Sequence, residues 1–199
     1  CDGKFVCKMS DENSKQEVAI CWLRRDLRLH DNPALHAALS SGLPVLPVFI
    51  FDKNILERLD NPRDRRLQFI HSRLEVLRQS LKKEHSTIWG VYGTVESAWE
   101  ELLEALKCRG FEVKGVYANR DYEPYALQRD QGILKKLHGA GIEWKDFQDH
   151  VLFEPDEVLK ADGKPYTVFT PYSKRWLAAQ PESRLAPYPS ERLTHCCLQ

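Results

Sequence analysis

Apolar positions along the chain fall into two alternating rhythms. Short continuous apolar runs occur at Gln16 to Trp22 (QEVAICW), within LPVLPVFIFD, and in STIWGVYG, FEVKGVYANR and IEWKDFQDHVLF, and they read as five strands. Between them lie NPALHAALSSG, NPRDRRLQFIHSRLEVLRQSLKKEH, TVESAWEELLEALKCRG and EPYALQRDQGILKKLHGAG, which read as helices. In the second of these, apolar residues at 67, 70, 74, 77 and 81 mark one helix face. The punctuation agrees. Asn32 is placed to cap a helix with Pro33 in its first turn and Gly42 as its stop, and Thr94 caps the third helix with Glu96 and Ser97 in the first turn. Pro44 and Pro47 cannot donate ladder hydrogen bonds, so the second strand is expected over Val45 to Phe51.

Strands that are apolar throughout are covered on both faces, as in a parallel sheet under helices. The rhythm therefore predicts an α/β fold: a Rossmann-like, doubly wound five-stranded parallel sheet with helices on both faces and right-handed crossovers. Such sheets bind ligands at the carboxyl ends of their strands, where the strand order reverses. Polar segments follow three of the strands: RRDLRLHD after the first, FDKN after the second, NRDYEPY after the fourth. With the first strand at the switch point, all three converge on one crevice. From Pro155 onward the alternation stops. DGKPYTVFTPYSKRW is loop-like, with a helix expected near Ser173. The expected organisation is a disordered or foreign tail over 1–15, an α/β domain over 16–150, and a linker over 151–199.

Composition narrows the function classes. The chain is 42% apolar and 29% charged, a soluble globular profile. Its 29 Lys plus Arg balance 29 Asp plus Glu, so no global basic field draws in nucleic acid, and little nucleic-acid binding is expected of this chain alone. The longest apolar run, GLPVLPVFIF, is too short for a membrane span, and the first residues lack the apolar stretch of a secretory signal. The six cysteines, at 1, 7, 21, 108, 196 and 197, form no CxxC pair. Reduced thiols and a cytoplasmic location (nuclear in a eukaryote) are expected. His195, Cys196 and Cys197 have no second ligand pair, so no metal site is expected. GxGxxG, GxxxxGK[ST], GxSxG and HExxH are all absent, and no catalytic residue is assigned within the chain.

Three segments carry more specific information. CWLRRDLRLHDNPAL, ANRDYEPYALQRD and GKPYTVFTPYSKRW, in this order, resemble the N-terminal domain of the DNA photolyase and cryptochrome family, over about Val18 to Trp176. YTVFTPYSKRW is more similar to cyclobutane-dimer photolyases than to animal cryptochromes or the DASH type. The resemblance implies a two-domain flavoprotein. Its N-terminal α/β domain holds an antenna chromophore, which is a deazaflavin, a flavin or a folate. A helical C-terminal domain, outside these residues, holds FAD and the lesion pocket and contacts the α/β domain.

The implied activity is that of a deoxyribodipyrimidine photolyase, a carbon-carbon lyase in which excited reduced flavin donates an electron to a pyrimidine dimer in UV-damaged DNA. It belongs to a longer chain, and no repair is expected from these residues alone. A cryptochrome-type blue-light photoreceptor, or a stand-alone flavin- or nucleotide-binding domain, are the alternatives. Matched residue by residue to deazaflavin-binding members, the resemblance places the antenna site at Arg24, Ile50, Phe51, Asp52, Arg66, Asp121 and Glu123. Folate-binding members use the same EPYA neighbourhood, but their polar pair is not evident at Tyr125 and Ala126. Arg25, Asp26 and Arg28 are expected to brace the loop or dock the helical domain. Trp22, Trp89, Trp99, Trp144 and Trp176 are expected mostly as packing residues.

Overall fold

Five parallel strands form one sheet in the order β3-β2-β1-β4-β5 in the computed structural model, which describes residues 15–59, 61, 64–180 and 184–199. The strands are β1 (Gln16–Leu23), β2 (Val45–Asp52), β3 (Trp89–Gly93), β4 (Phe111–Asn119) and β5 (Glu143–Phe147). Helices α1 (Pro33–Leu39), α2 (Lys53–Leu56), α3 (Arg65–Lys82), α4 (Val95–Cys108) and α5 (Pro124–Gly139) connect them. The doubly wound sheet read from the sequence is thus the observed one, with β1 central and the reversal of strand order between β1 and β4. Short α2 is an addition, formed where the Asp52 side chain accepts from the Asn54 amide. The tail expected at the start of the chain lies, up to residue 14, outside the described residues, together with Cys1 and Cys7.

Alternation along β1 sorts the core into two halves. Val18, Ile20 and Trp22 face α4 and α5, packing with Trp99, Leu102, Ile133 and Leu137. Ala19, Cys21 and Leu23 face α1 and α3, packing with Leu35, Leu77 and Leu81. Pro47 is accommodated for a local reason. The Pro44 carbonyl accepts from Ala19 of β1, so alternation turns Val45 and Pro47 to the other edge, where pairing with β3 begins only at Val48.

Beyond residue 150, helix α6 (Phe169–Ala178) begins four residues before the expected Ser173, and none of its residues is buried. A final 3-10 turn (Ser190–Cys196) returns to the sheet. There Ser190 Oγ donates to the Leu29 carbonyl at 2.6 Å, Cys197 is buried, and the Leu198 amide donates to the Val45 carbonyl at 2.7 Å on the free edge of β2. The segment read as a linker therefore closes one side of the α/β core.

The switch point is pinned by a buried polar network. The Asp26 carboxylate accepts from the Arg24 amide at 2.8 Å, from Asn32 Nδ2 at 3.1 Å and from Asn119 Nδ2 at 2.7 Å. Asn32 caps α1 as expected, its side chain accepting from the Leu35 amide. Asn119 Oδ1 accepts from the Ala34 amide at 3.0 Å. Asp26, Asn32 and Asn119 are each 4% exposed or less, so each lost bond among them leaves a desolvated group unpaired. Asn119→Ala is expected to lower the unfolding free energy by about 3 kcal/mol, measured by urea denaturation; a loss below about 1 kcal/mol would remove the network from its structural role.

The two buried thiols give a pH test. Burial pushes the Cys197 thiol up to about 12, and burial also raises Cys21 well above its ordinary 9.0. The folded state keeps both protonated while the unfolded chain ionises, so stability is expected to fall as pH rises from about 9 toward 12. At pH 8, iodoacetamide mapping of the folded chain is expected to label the partly exposed Cys108 and Cys196 well ahead of Cys21 and Cys197.

Candidate functional site

At the carboxyl ends of β1 and β2 and beside the β4–α5 loop, the chain leaves a cavity of about 410 Å³. All seven residues placed by the sequence line it: Arg24, Ile50, Phe51, Asp52, Arg66, Asp121 and Glu123. Ile55, Leu56, Leu67 and Ile70 supply further apolar wall, and Tyr125 and Arg129 complete it from α5. The volume falls within the range of small-molecule sites, roughly 300–1,000 Å³.

Each polar group is already tied to a neighbour. Arg24 is buried. Its guanidinium donates to Asp130 and to the Asn119 carbonyl and lies over the Trp22 ring, 5.0 Å from its centroid. Arg25 reaches across the crevice from the β1–α1 loop to Glu123 at 2.6 Å, with Asp121 at 3.7 Å. The hydrogen bond to Glu123 raises the Arg25 pKa further above its ordinary value, so the cation persists at any working pH. Asp121 also accepts from the Glu123 amide, and Glu123 is the first flanking residue of α5, with Pro124 at the helix start. Arg66 bonds Asp64 at 2.7 Å and holds that carboxyl down near 2.

Asp52 does two jobs. One oxygen caps α2, and the other accepts from the Tyr125 hydroxyl at 2.6 Å. Burial, then this bond, raises the Tyr125 pKa above its ordinary value of 10.0. The phenol is therefore neutral and committed as a donor to Asp52.

Arg129 is not singled out by the sequence, and Tyr125 enters there only as a folate position that is set aside. Their signal was the helical spacing: residues four apart on α5 share a face, and that face points into the cavity. Arg28, by contrast, faces away from it. Its guanidinium donates to Asp149 and, at 2.6 Å, to the Asp31 carbonyl, and Arg73 Nη2 donates to the Leu27 carbonyl. Arg28 and Arg73 brace the loop, while Arg24 and Arg25 belong to the cavity.

The sequence profile named DNA photolyase matches residues 19–190. The chain belongs to the DNA photolyase family. A deoxyribodipyrimidine photo-lyase of Synechococcus sp. is 32% identical over 170 residues, covering 85% of this chain and 34% of that protein. Cryptochrome-2 of Arabidopsis thaliana is 36% identical over 172 residues, covering 85% of this chain and 27% of that protein. Among solved structures, a bacterial class III photolyase from Agrobacterium tumefaciens superposes with a TM-score of 0.74 at 30% identity, over 92% of this chain and 36% of that one. An archaeal photolyase from Sulfolobus tokodaii, solved with two FAD molecules and discussed for a novel light-harvesting cofactor, has a TM-score of 0.65 at 30% identity, over 80% of this chain and 34% of that one. This chain thus spans about a third of the length of the photolyases it matches.

Among the described residues, no three His, Cys, Asp or Glu side chains group as metal ligands, and no helix is long and apolar enough to cross a membrane. Trp22 and Trp99 are 2% exposed and belong to the core, while Trp176 packs edge-on against Phe153.

The Asp52–Tyr125 bond is open to direct measurement. In Asp52→Asn the Tyr125 ionisation, followed by the Cζ chemical shift of labelled tyrosine, is expected to move down toward 10.0. Tyr122, held near 12 by burial and by Glu154, is expected to stay. An unmoved Tyr125 would show that Asp52 does not set the cavity's polar edge.

Proposed function

We propose that this chain is the antenna-chromophore-binding portion of a light-driven, FAD-dependent DNA photolyase that repairs UV-induced pyrimidine dimers. The observation that supports the reading most strongly is the cavity. In a member of this family it sits at the switch point of the sheet and combines an apolar slot with a polar edge. Ile50, Phe51, Leu67 and Ile70 offer flat apolar contact, and Asp52, Tyr125, Asp121, Glu123 and Arg25 offer hydrogen-bonding groups to the edge of a planar heterocycle.

The ligand class that fits is a flavin-type ring, either a flavin or a deazaflavin. In this reading Phe51 packs on the ring face while Asp52 and Tyr125 meet its polar rim. Arg25 is paired with Glu123 and Arg66 with Asp64, while the Asp52 carboxylate is held by neutral donors, the Tyr125 hydroxyl and the Asn54 amide. FAD for the repair step, and contact with damaged DNA, fall to the further length that the photolyase relatives possess.

The test is reconstitution of the purified chain with FMN, FAD, 8-hydroxy-5-deazariboflavin or methenyltetrahydrofolate, followed by absorption and fluorescence titration. A flavin-type chromophore is expected to bind with micromolar or better affinity. Phe51→Ala and Asp52→Ala are each expected to weaken it about tenfold, equivalent to about 1.4 kcal/mol. Failure of all four to bind would overturn the antenna reading, and tight binding of the folate alone would overturn the flavin-type assignment.

A further inference from the structure

Three tryptophans meet beside the cavity. Trp22 contacts Trp99 edge-on at 5.5 Å and Trp144 edge-on at 6.2 Å. Indole is the most easily oxidised of the ordinary aromatic side chains. An excited flavin-type ring within reach takes an electron from it and loses its excitation. In that step the indole becomes a radical cation and the chromophore a radical anion; return of the electron releases only heat. A cavity that stores excitation next to such a cluster would waste it.

The wall between the two is cationic. Arg24 and Arg129 both line the cavity, and each guanidinium carbon lies over the Trp22 ring, 5.0 Å from its centroid. Both are buried, with side chains 6% and 8% exposed, and both pair with the single carboxylate of Asp130. Two guanidiniums on one carboxylate leave a formal positive charge against the ring. Of the other buried carboxylates of the region, Asp26 is bonded to a backbone amide, Asn32 and Asn119, Asp52 to the Tyr125 hydroxyl and the Asn54 amide, and Asp121 to the Glu123 amide beside Arg25; none is bonded to either guanidinium. Arg24 Nε has no hydrogen-bond partner although it is buried, and Arg129 Nη2 faces only Asp130 Oδ1, at 2.8 Å. Packing alone accounts poorly for such an arrangement, because two desolvated cations are costly to hold.

We propose that Arg24 and Arg129 insulate Trp22 from the excited chromophore, their charges opposing the removal of an electron from its indole. A radical cation on Trp22 would form directly beneath two positive charges, in a desolvated setting where Coulomb repulsion is weakly screened. The same interaction that favours the neutral, electron-rich ring thus disfavours its oxidised form. The proposal rests on the antenna reading and gives these two arginines a positioning role toward the electronic state of Trp22.

The experiment has two arms. In the first, the chain is saturated with FMN and its fluorescence lifetime is recorded for the native protein and for Arg129→Gln, Arg129→Lys and Trp22→Phe combined with Arg129→Gln. The lifetime is expected to shorten at least twofold in Arg129→Gln, to stay near the native value in Arg129→Lys, and to recover when Trp22 is also replaced. An unchanged lifetime in Arg129→Gln, or one that Trp22→Phe does not restore, would overturn insulation. In the second arm the unliganded chain is oxidised by azide radicals and mapped by mass spectrometry. Oxidation at Trp22 is expected to rise at least twofold in Arg129→Gln relative to native. If FMN does not bind, the first arm is run with FAD or 8-hydroxy-5-deazariboflavin; if none of the flavin-type rings binds, the flavin-type reading fails, and the second arm still decides the insulation: an unchanged yield at Trp22 sinks it.

Discussion

The buried carboxylate of Asp26 is the constraint on which the site depends. It sits where the strand order reverses, and it accepts only from neutral donors, a backbone amide and two asparagine side chains. Those donors belong to the β1–α1 loop, the start of α1 and the end of β4. A charge buried in this way is expensive to expose to the wrong partners, so the three segments have one low-energy arrangement. Asn32 is shared between the network and the cap of α1, which couples the direction of that helix to the position of β4.

Once the loops are fixed, neighbouring arginines are dealt to different tasks by geometry alone. Leaving β1, the chain sends Arg24 inward to Asp130 and the Asn119 carbonyl, and Arg25 across the crevice to Glu123. Arg28 turns the opposite way, to Asp149. The bend at Asp31, which has a left-handed φ of 48°, brings its carbonyl under Arg28 and lets its side chain accept from the Tyr188 amide. The late segment near Ser190 and Tyr188 is therefore part of what holds this loop.

The fold was legible because its signals are local. Apolar runs, helical spacing, and caps such as Asn32 and Thr94 each depend on a few adjacent residues, and all agreed with one topology. The seven residues brought to the cavity were legible only through a family resemblance, since nothing local distinguishes Arg24 from Arg25. What could not be read were pairings across long separations. Asp52 with Tyr125, Arg24 with Asp130 and Arg25 with Glu123 join residues 73, 106 and 98 positions apart, and no periodicity encodes them. The return of Cys197 and Leu198 to β2 was hidden for a related reason. One edge carbonyl and one small buried thiol suffice to dock that segment, and neither leaves a pattern.

The internal pairing of the cavity's charges also bears on what the cavity selects. A site with free cations would discriminate by charge, and its affinity would fall steeply with salt. Here Arg25 and Arg66 each have a carboxylate partner and Arg24 and Arg129 share that of Asp130, so no cation of the cavity is left wholly unpaired. In the antenna reading, selection then falls to shape and to the few oriented dipoles at the rim, with Phe51 and Ile50 setting the plane and Tyr125 the edge through Asp52. In the wall itself, Arg24 and Arg129 share the one carboxylate of Asp130 and both face the Trp22 ring. In the proposed reading the cavity separates two functions that a simpler basic pocket would merge: its surface recognises a flat ring, and the arginine layer over Trp22 adjusts how easily that indole gives up an electron.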